Sequence, residues 1–167
     1  MDDGTIVVSE AVPIQGLVDQ LRGVERTFVP DRASRFEGMP SRFKVLPESR
    51  SLKNVVETVR VMTGVVAGGF DPGNAVFWKF RSGDYLLPTA WIQAANAPAL
   101  HILMLTTSAE DALNVSHESG AEYFNMEAGR IVSVRQSCRF WLGPISADGL
   151  HLAISGLATD ETGGARV

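Results

Sequence analysis

One cysteine, Cys138, and three histidines, His101, His117 and His151, are the whole thiol and imidazole inventory of this 167-residue chain. A lone thiol forms no intramolecular disulfide, so nothing points to an oxidising compartment. No two histidines stand at the spacing of a helical metal pair and Cys138 has no neighbouring thiol, so no zinc motif is present. Long apolar runs are also missing. The stretch from Pro98 to Leu105 is far too short to span a bilayer, which predicts no membrane insertion. The start, Met1-Asp2-Asp3-Gly4, is acidic where a secretory leader is basic, so no leader is expected.

Positive charge is in deficit as well. Fifteen basic residues against nineteen acidic ones give a net charge of −4, which disfavours non-specific binding to nucleic-acid phosphates. Nine of the fifteen basic residues lie between Arg22 and Arg60, but Glu25, Asp31, Glu37, Glu48 and Glu57 interrupt them. That segment reads as a solvated mixed-charge face.

What is present is an ordinary globular composition, 45% hydrophobic and 20% charged, at a length that suits a single domain. Sixteen glycines and eight prolines suit short strands joined by turns. Pro13 opens a short helical pattern through Ile14, Leu17, Val18 and Leu21. A second helix is expected after Ser49 or Ser51, with Leu52, Val55, Val56, Val59 and Met62 on one face and Gly64 at its end. Between them, Thr27 to Ser49 carries Pro30, Pro40 and Pro47 without periodicity and reads as an extended arm. Residues 1–50 are therefore assigned to an N-terminal arm with a short helix, and 51–167 to a β domain.

From Val65 the period changes to that of strands. Ala75 to Phe80 is aromatic and β-prone, and Arg81-Ser82-Gly83-Asp84 turns it into Tyr85-Leu86-Leu87. Trp91 to Ala94 and Leu100 to Thr107 supply two more strands, the latter apolar enough for the middle of a sheet. Ser108 to Gly120 is polar and acidic and is expected to be an exposed loop. After Tyr123 to Met126 comes the longest alternation: Val132, Val134, Cys138, Phe140 and Leu142 on one face, with Gln136 the exception. Ser133, Arg135, Ser137 and Arg139 take the other face, as in an antiparallel sheet with one buried side. Leu150, Leu152 and Ile154 repeat the pattern. The expected fold is mainly β, an antiparallel sandwich or jelly roll with one or two short helices.

No arrangement of residues announces chemistry. Asp111 and His117 with Ser116 or Ser119 lack the Gly-x-Ser-x-Gly elbow of a nucleophilic serine. Cys138 lies on the apolar face of its strand, and His101 and His151 lie within apolar strands, as half-buried residues do. Neither Gly68-Gly69 nor Gly163-Gly164 is framed as a phosphate-binding loop. No catalytic residue, metal ligand or cofactor is assigned, and the chain is expected not to be an enzyme.

The order of segments resembles the jelly-roll capsid proteins of picorna-like viruses. Ser51-Leu52-Lys53-Asn54-Val55-Val56 is similar to the short helix before the barrel in that family. Phe77 to Asp84 resembles its aromatic strand and basic-glycine turn, Arg130 to Trp141 its long late strand, and Leu150 to Glu161 its last strand and acidic tail. The resemblance implies a structural subunit of a virion, packing against copies of itself or sister subunits through sandwich edges and arm. Phe28, Phe36, Phe43, Trp78, Trp91 and Trp141 are its candidate interface anchors, with core packing the alternative for the tryptophans. A second resemblance joins Glu122 to Val132 with the last hairpin of steroid-isomerase-like α+β cone folds. It implies a cytoplasmic enzyme or ligand-binding protein with His101 in its pocket. A β-sandwich accessory protein with one partner is the third reading.

Overall fold

The computed structural model describes residues 6–9, 11, 14, 19, 29–30, 44–45, 75–89, 99–135 and 138–156. Among them run eleven strands. They are β1 (Ile6–Val8), β2 (Val29–Pro30), β3 (Lys44–Val45), β4 (Ala75–Phe80), β5 (Leu86–Thr89) and β6 (Leu100–Met104). The rest are β7 (Ser108–His117), β8 (Gly120–Met126), β9 (Ile131–Val134), β10 (Arg139–Leu142) and β11 (Leu150–Ser155). They build a seven-stranded sheet in the order β1-β9-β6-β11-β4-β3-β2 and a four-stranded sheet in the order β5-β10-β7-β8. Every pairing is antiparallel. The mainly β antiparallel sandwich expected from the sequence is the fold observed.

Alternation along each strand creates the core, because successive side chains leave opposite faces of a sheet. Val76, Trp78 and Phe80 on β4, Leu100, Ile102 and Met104 on β6, and Leu150, Leu152 and Ile154 on β11 belong to one apolar cluster. Val132 and Val134 on β9 join them. The other sheet contributes Leu86, Leu113, Val115, Met126, Phe140 and Leu142 to the same cluster. Trp78 and Phe140 stack across the gap with ring centroids 6.5 Å apart. The far face of the larger sheet is buried too, through Phe77, Leu103, Ile131 and Ala153. That explains why β6 is apolar on both sides.

The turn after β4 forms as expected. Asp84 donates its backbone N–H to Arg81 O and accepts one from Arg81 N at 2.9 Å on Oδ2. Gly83 supplies the positive φ, 82°, that this reversal requires.

Two expectations are corrected. Ser108 to Gly120 is no exposed loop: all but its last three residues form β7, a ten-residue strand with Asp111, Leu113 and Val115 buried. Asn114 and Ser116 occupy the opposite, partly covered face, so composition concealed an alternation that was present. The continuous strand from Val132 to Leu142 is two strands in different sheets, β9 and β10. The chain turns between them, with Cys138 N donating to Arg135 O at 2.9 Å. The apolar positions keep their phase because both strands face the one core.

Ile14 is buried and Asp19 is helical, but the two expected helices otherwise lie outside the described residues, as does the strand at Trp91. Of the segment from Thr27 to Ser49, only β2 and β3 are described, and β3 pairs with β4. Among the described residues no helix is long and apolar enough to cross a membrane.

Phe140 is wholly buried at the junction of the two sheets. Phe140→Ala is expected to lower stability by about 3–5 kcal/mol through lost burial and the cavity left behind. Chemical denaturation followed by tryptophan fluorescence measures it.

Candidate functional site

Among the described residues, four polar groupings centre on a histidine or on Asp111. On the far face of the larger sheet, His101 lies opposite Ser133 on β9, and its Nδ1 shares a 2.7 Å hydrogen bond with the Ser133 hydroxyl. His101 Nε2 is buried with no hydrogen-bond partner. Burial lowers the pKa of this ring from the ordinary histidine value, because the charged form loses hydration.

His151 lies on the same face of β11. Its Nδ1 is 2.9 Å from Gly149 O, and its backbone N–H donates to Thr106 Oγ1 at 3.0 Å. The Thr106 hydroxyl donates in turn to Gly149 O at 3.1 Å. These bonds fix the start of β11 against the end of β6.

The third place is Asp111, a buried carboxylate on the inner face of β7. It accepts hydrogen bonds from Ser108 Oγ (2.7 Å), Ser146 N (3.0 Å) and Ser146 Oγ (2.9 Å). The loop after β10 is thereby tied to β7. A recess of about 60 Å³ opens beside it, lined in part by Thr106, Thr107 and Asp148. That is far below the several hundred Å³ of a small-molecule site.

The fourth place is His117, at the end of β7, with Nε2 3.4 Å from Glu122 and Nδ1 3.3 Å from Ser119 Oγ. Asp111 and His117 do not meet, since six residues of extended chain separate them by roughly 20 Å. No Ser-His-Asp arrangement forms from the residues weighed for one.

Of the six candidate anchors, Trp78 is 1% exposed and belongs to the core, and Trp141 is half-buried on β10. Phe28, Phe36, Phe43 and Trp91 lie outside the described residues. Ser133 was not singled out from the sequence, and Asp111 was weighed only as a member of a Ser-His-Asp set. Asp111 had a readable signal: it shares the phase of Leu113 and Val115, and a carboxylate in a buried register needs donors. Ser133 had none, because its partner comes from another strand.

No family model matches the chain, and no curated protein matches it. Solved structures of similar fold include a prolyl hydroxylase from Trichoplax adhaerens in complex with a hypoxia inducible factor peptide fragment. It shares 8% identity over 92% of this chain and 84% of its own, at a TM-score of 0.62. A prolyl-4-hydroxylase from Pseudomonas putida shares 11% over 90% of this chain and 91% of its own, at 0.58. The viral collagen prolyl hydroxylase of Paramecium Bursaria Chlorella virus-1, in complex with 2-oxoglutarate, shares 9% over 92% and 95%, at 0.59. At these identities the likeness establishes the fold, the jelly-roll-like double-stranded β-helix of the 2-oxoglutarate/Fe(II) oxygenases.

This overturns the resemblance to picorna-like capsid proteins, and with it the reading as a virion-located structural subunit. The physical reason is that capsid jelly rolls and this fold share short antiparallel strands facing one core, so segment order alone does not separate them. The expectation of a protein that is not an enzyme falls for the same reason, since the fold neighbours are hydroxylases, oxygenases and an epimerase. The steroid-isomerase-like alternative does not fit either. Its supposed last hairpin is divided here, with Gly120–Met126 in the smaller sheet and Ile131–Val134 in the larger.

The fold implies iron and 2-oxoglutarate, and the described residues do not fit them. Non-heme Fe(II) oxygenases hold the metal with two histidines and a carboxylate. Among the described residues no group of three histidine, cysteine or acidic side chains is placed to hold a metal ion. Among the described residues the buried polar side chains are those of Asp84, His101, Asp111, His151 and Ser155, with no lysine or arginine to meet a dicarboxylate.

Two outcomes are expected. The lowered pKa means that His101 takes up a proton less readily folded than unfolded, so stability falls as pH drops below about 6.5. Thermal melts of the parent and His101→Gln across that range should show a shallower acid decline in the variant. Asp111→Ala leaves the Ser146 donors unsatisfied and should lower stability by about 1–3 kcal/mol, with proteolysis of the loop after β10 as a local readout.

Proposed function

We propose that this chain is a divergent protein of the oxygenase class that works on a peptide segment. The observation that supports the reading is the span of the fold likeness. Prolyl hydroxylases from three unrelated sources cover at least nine tenths of this chain while using most of their own length. One of them is in complex with a peptide and another is named for collagen, so an extended, proline-containing segment is the ligand class the reading favours.

The exposed strand β8 suits such a ligand. It is an edge of the smaller sheet, outward-facing along most of its length, and Tyr123 on it is 74% exposed. An extended peptide can add its backbone hydrogen bonds to an edge of this kind, with an aromatic ring to pack on proline.

Isothermal titration of the full chain with proline-containing peptides tests the reading. Saturable binding is expected, weakened when the prolines are replaced by alanine and weakened again in Tyr123→Ala. No binding of any such peptide to a correctly folded chain would refute it.

A further inference from the structure

We infer that this chain does not hold an iron through two histidines and a carboxylate, although its fold is that of proteins named for 2-oxoglutarate and Fe(II). The inference rests on the fold reading alone and is independent of the peptide reading.

The chain contains only three histidines, and the structure describes all three. A two-histidine site must therefore use one of three pairs. Each imidazole nitrogen would have to come within about 2.1 Å of the same ion, which brings the two rings side by side.

His101 and His151 share a face of the larger sheet on neighbouring strands. His101 lies opposite Ser155, however, so His151 is four residues further along β11. At the rise of an extended strand that offset is roughly 13 Å. Neither strand can slide to close it, because Leu152, Ala153 and Ile154 are locked in register with Met104, Leu103 and Ile102.

His117 belongs to the other sheet and ends β7 beside Glu122 and Ser119. The sequence neighbours of His101 (Leu100 and Ile102) and of His151 (Leu150 and Leu152) all face the interior. Both rings therefore project from the larger sheet on its far side, away from the smaller sheet that carries His117. Two sheets packed face to face stand about 10 Å apart before the outward reach of either ring is added. No pair converges.

The single thiol offers no substitute, since Cys138 is buried in the apolar cluster. The space where the sheets face each other is filled by side chains such as Trp78, Phe80, Leu113, Val115 and Phe140, none of which is an iron ligand. Any reaction carried out on this scaffold uses groups other than an iron held by two of its histidines.

The test is metal binding by the purified full chain, read without activity. Fe(II) under anaerobic conditions, and Co(II) as a paramagnetic probe, are added in excess and followed by equilibrium dialysis and by the proton resonances of the three imidazoles. The expected result is no stoichiometric binding, with no paramagnetic shift of two imidazoles together. Metal retained without any shift of histidine resonances also supports the inference, because the ion is then held by oxygen ligands. Stoichiometric Co(II) with two shifted imidazoles, abolished by replacing either histidine with glutamine, overturns it. Peptide titration of the same samples keeps the two readings separate, since binding of a peptide neither requires nor implies the metal.

Discussion

Two sheets that share one apolar interior must each turn alternate residues inward, and nearly every feature of this molecule follows from that requirement. Removing such side chains from water is the main favourable term in folding, worth roughly 1.5–3 kcal/mol for each large residue fully buried. The stacking of Trp78 on Phe140 joins the sheets at the level of individual side chains. The polar groups take what the interior leaves: Asp111 survives at the rim because three donors reach it, and both buried histidines are displaced to the far face.

That displacement separates fold from chemistry. A scaffold may be shared across whole chains while the side chains that perform a reaction are not, and identities of 8–11% leave ample room for this. Here the fold likeness to the oxygenases spans at least nine tenths of the chain, yet the histidines are distributed as structural residues are. His101 is bonded to a serine and His151 to a backbone carbonyl.

The β architecture was legible in the sequence because alternation is a local signal. Ala75 to Phe80, the Arg81–Asp84 turn and Leu150 to Ile154 could be placed from pattern and turn chemistry alone. β7 was not, since its serines, acids and asparagine imitate a loop until the phase of Asp111, Leu113 and Val115 is traced. The division of Val132 to Leu142 was harder still. Both halves face the same core, so the apolar pattern runs on with Gln136 its one exception in the sequence. The choice between a shell protein and an oxygenase fold lay beyond reach, because it depends on which strands are neighbours. The separation of the histidines was illegible for the same reason: it is a matter of register between strands distant in sequence.

The pairing of β1 with β9 carries a consequence for how the chain comes to be folded. Ile6 to Val8 lie against Val132 to Val134, and Ile131 N donates to Ser9 Oγ across 122 positions of sequence. On a ribosome, β1 emerges long before β9 exists and must wait while the intervening chain is made. Closing so long a loop is entropically unfavourable and is rewarded only once β9 is in place. The larger sheet thus takes one edge from a strand made well before its partner. During that wait Val7 and Val8, which stay largely exposed even in the finished fold, are open to pairing with another molecule.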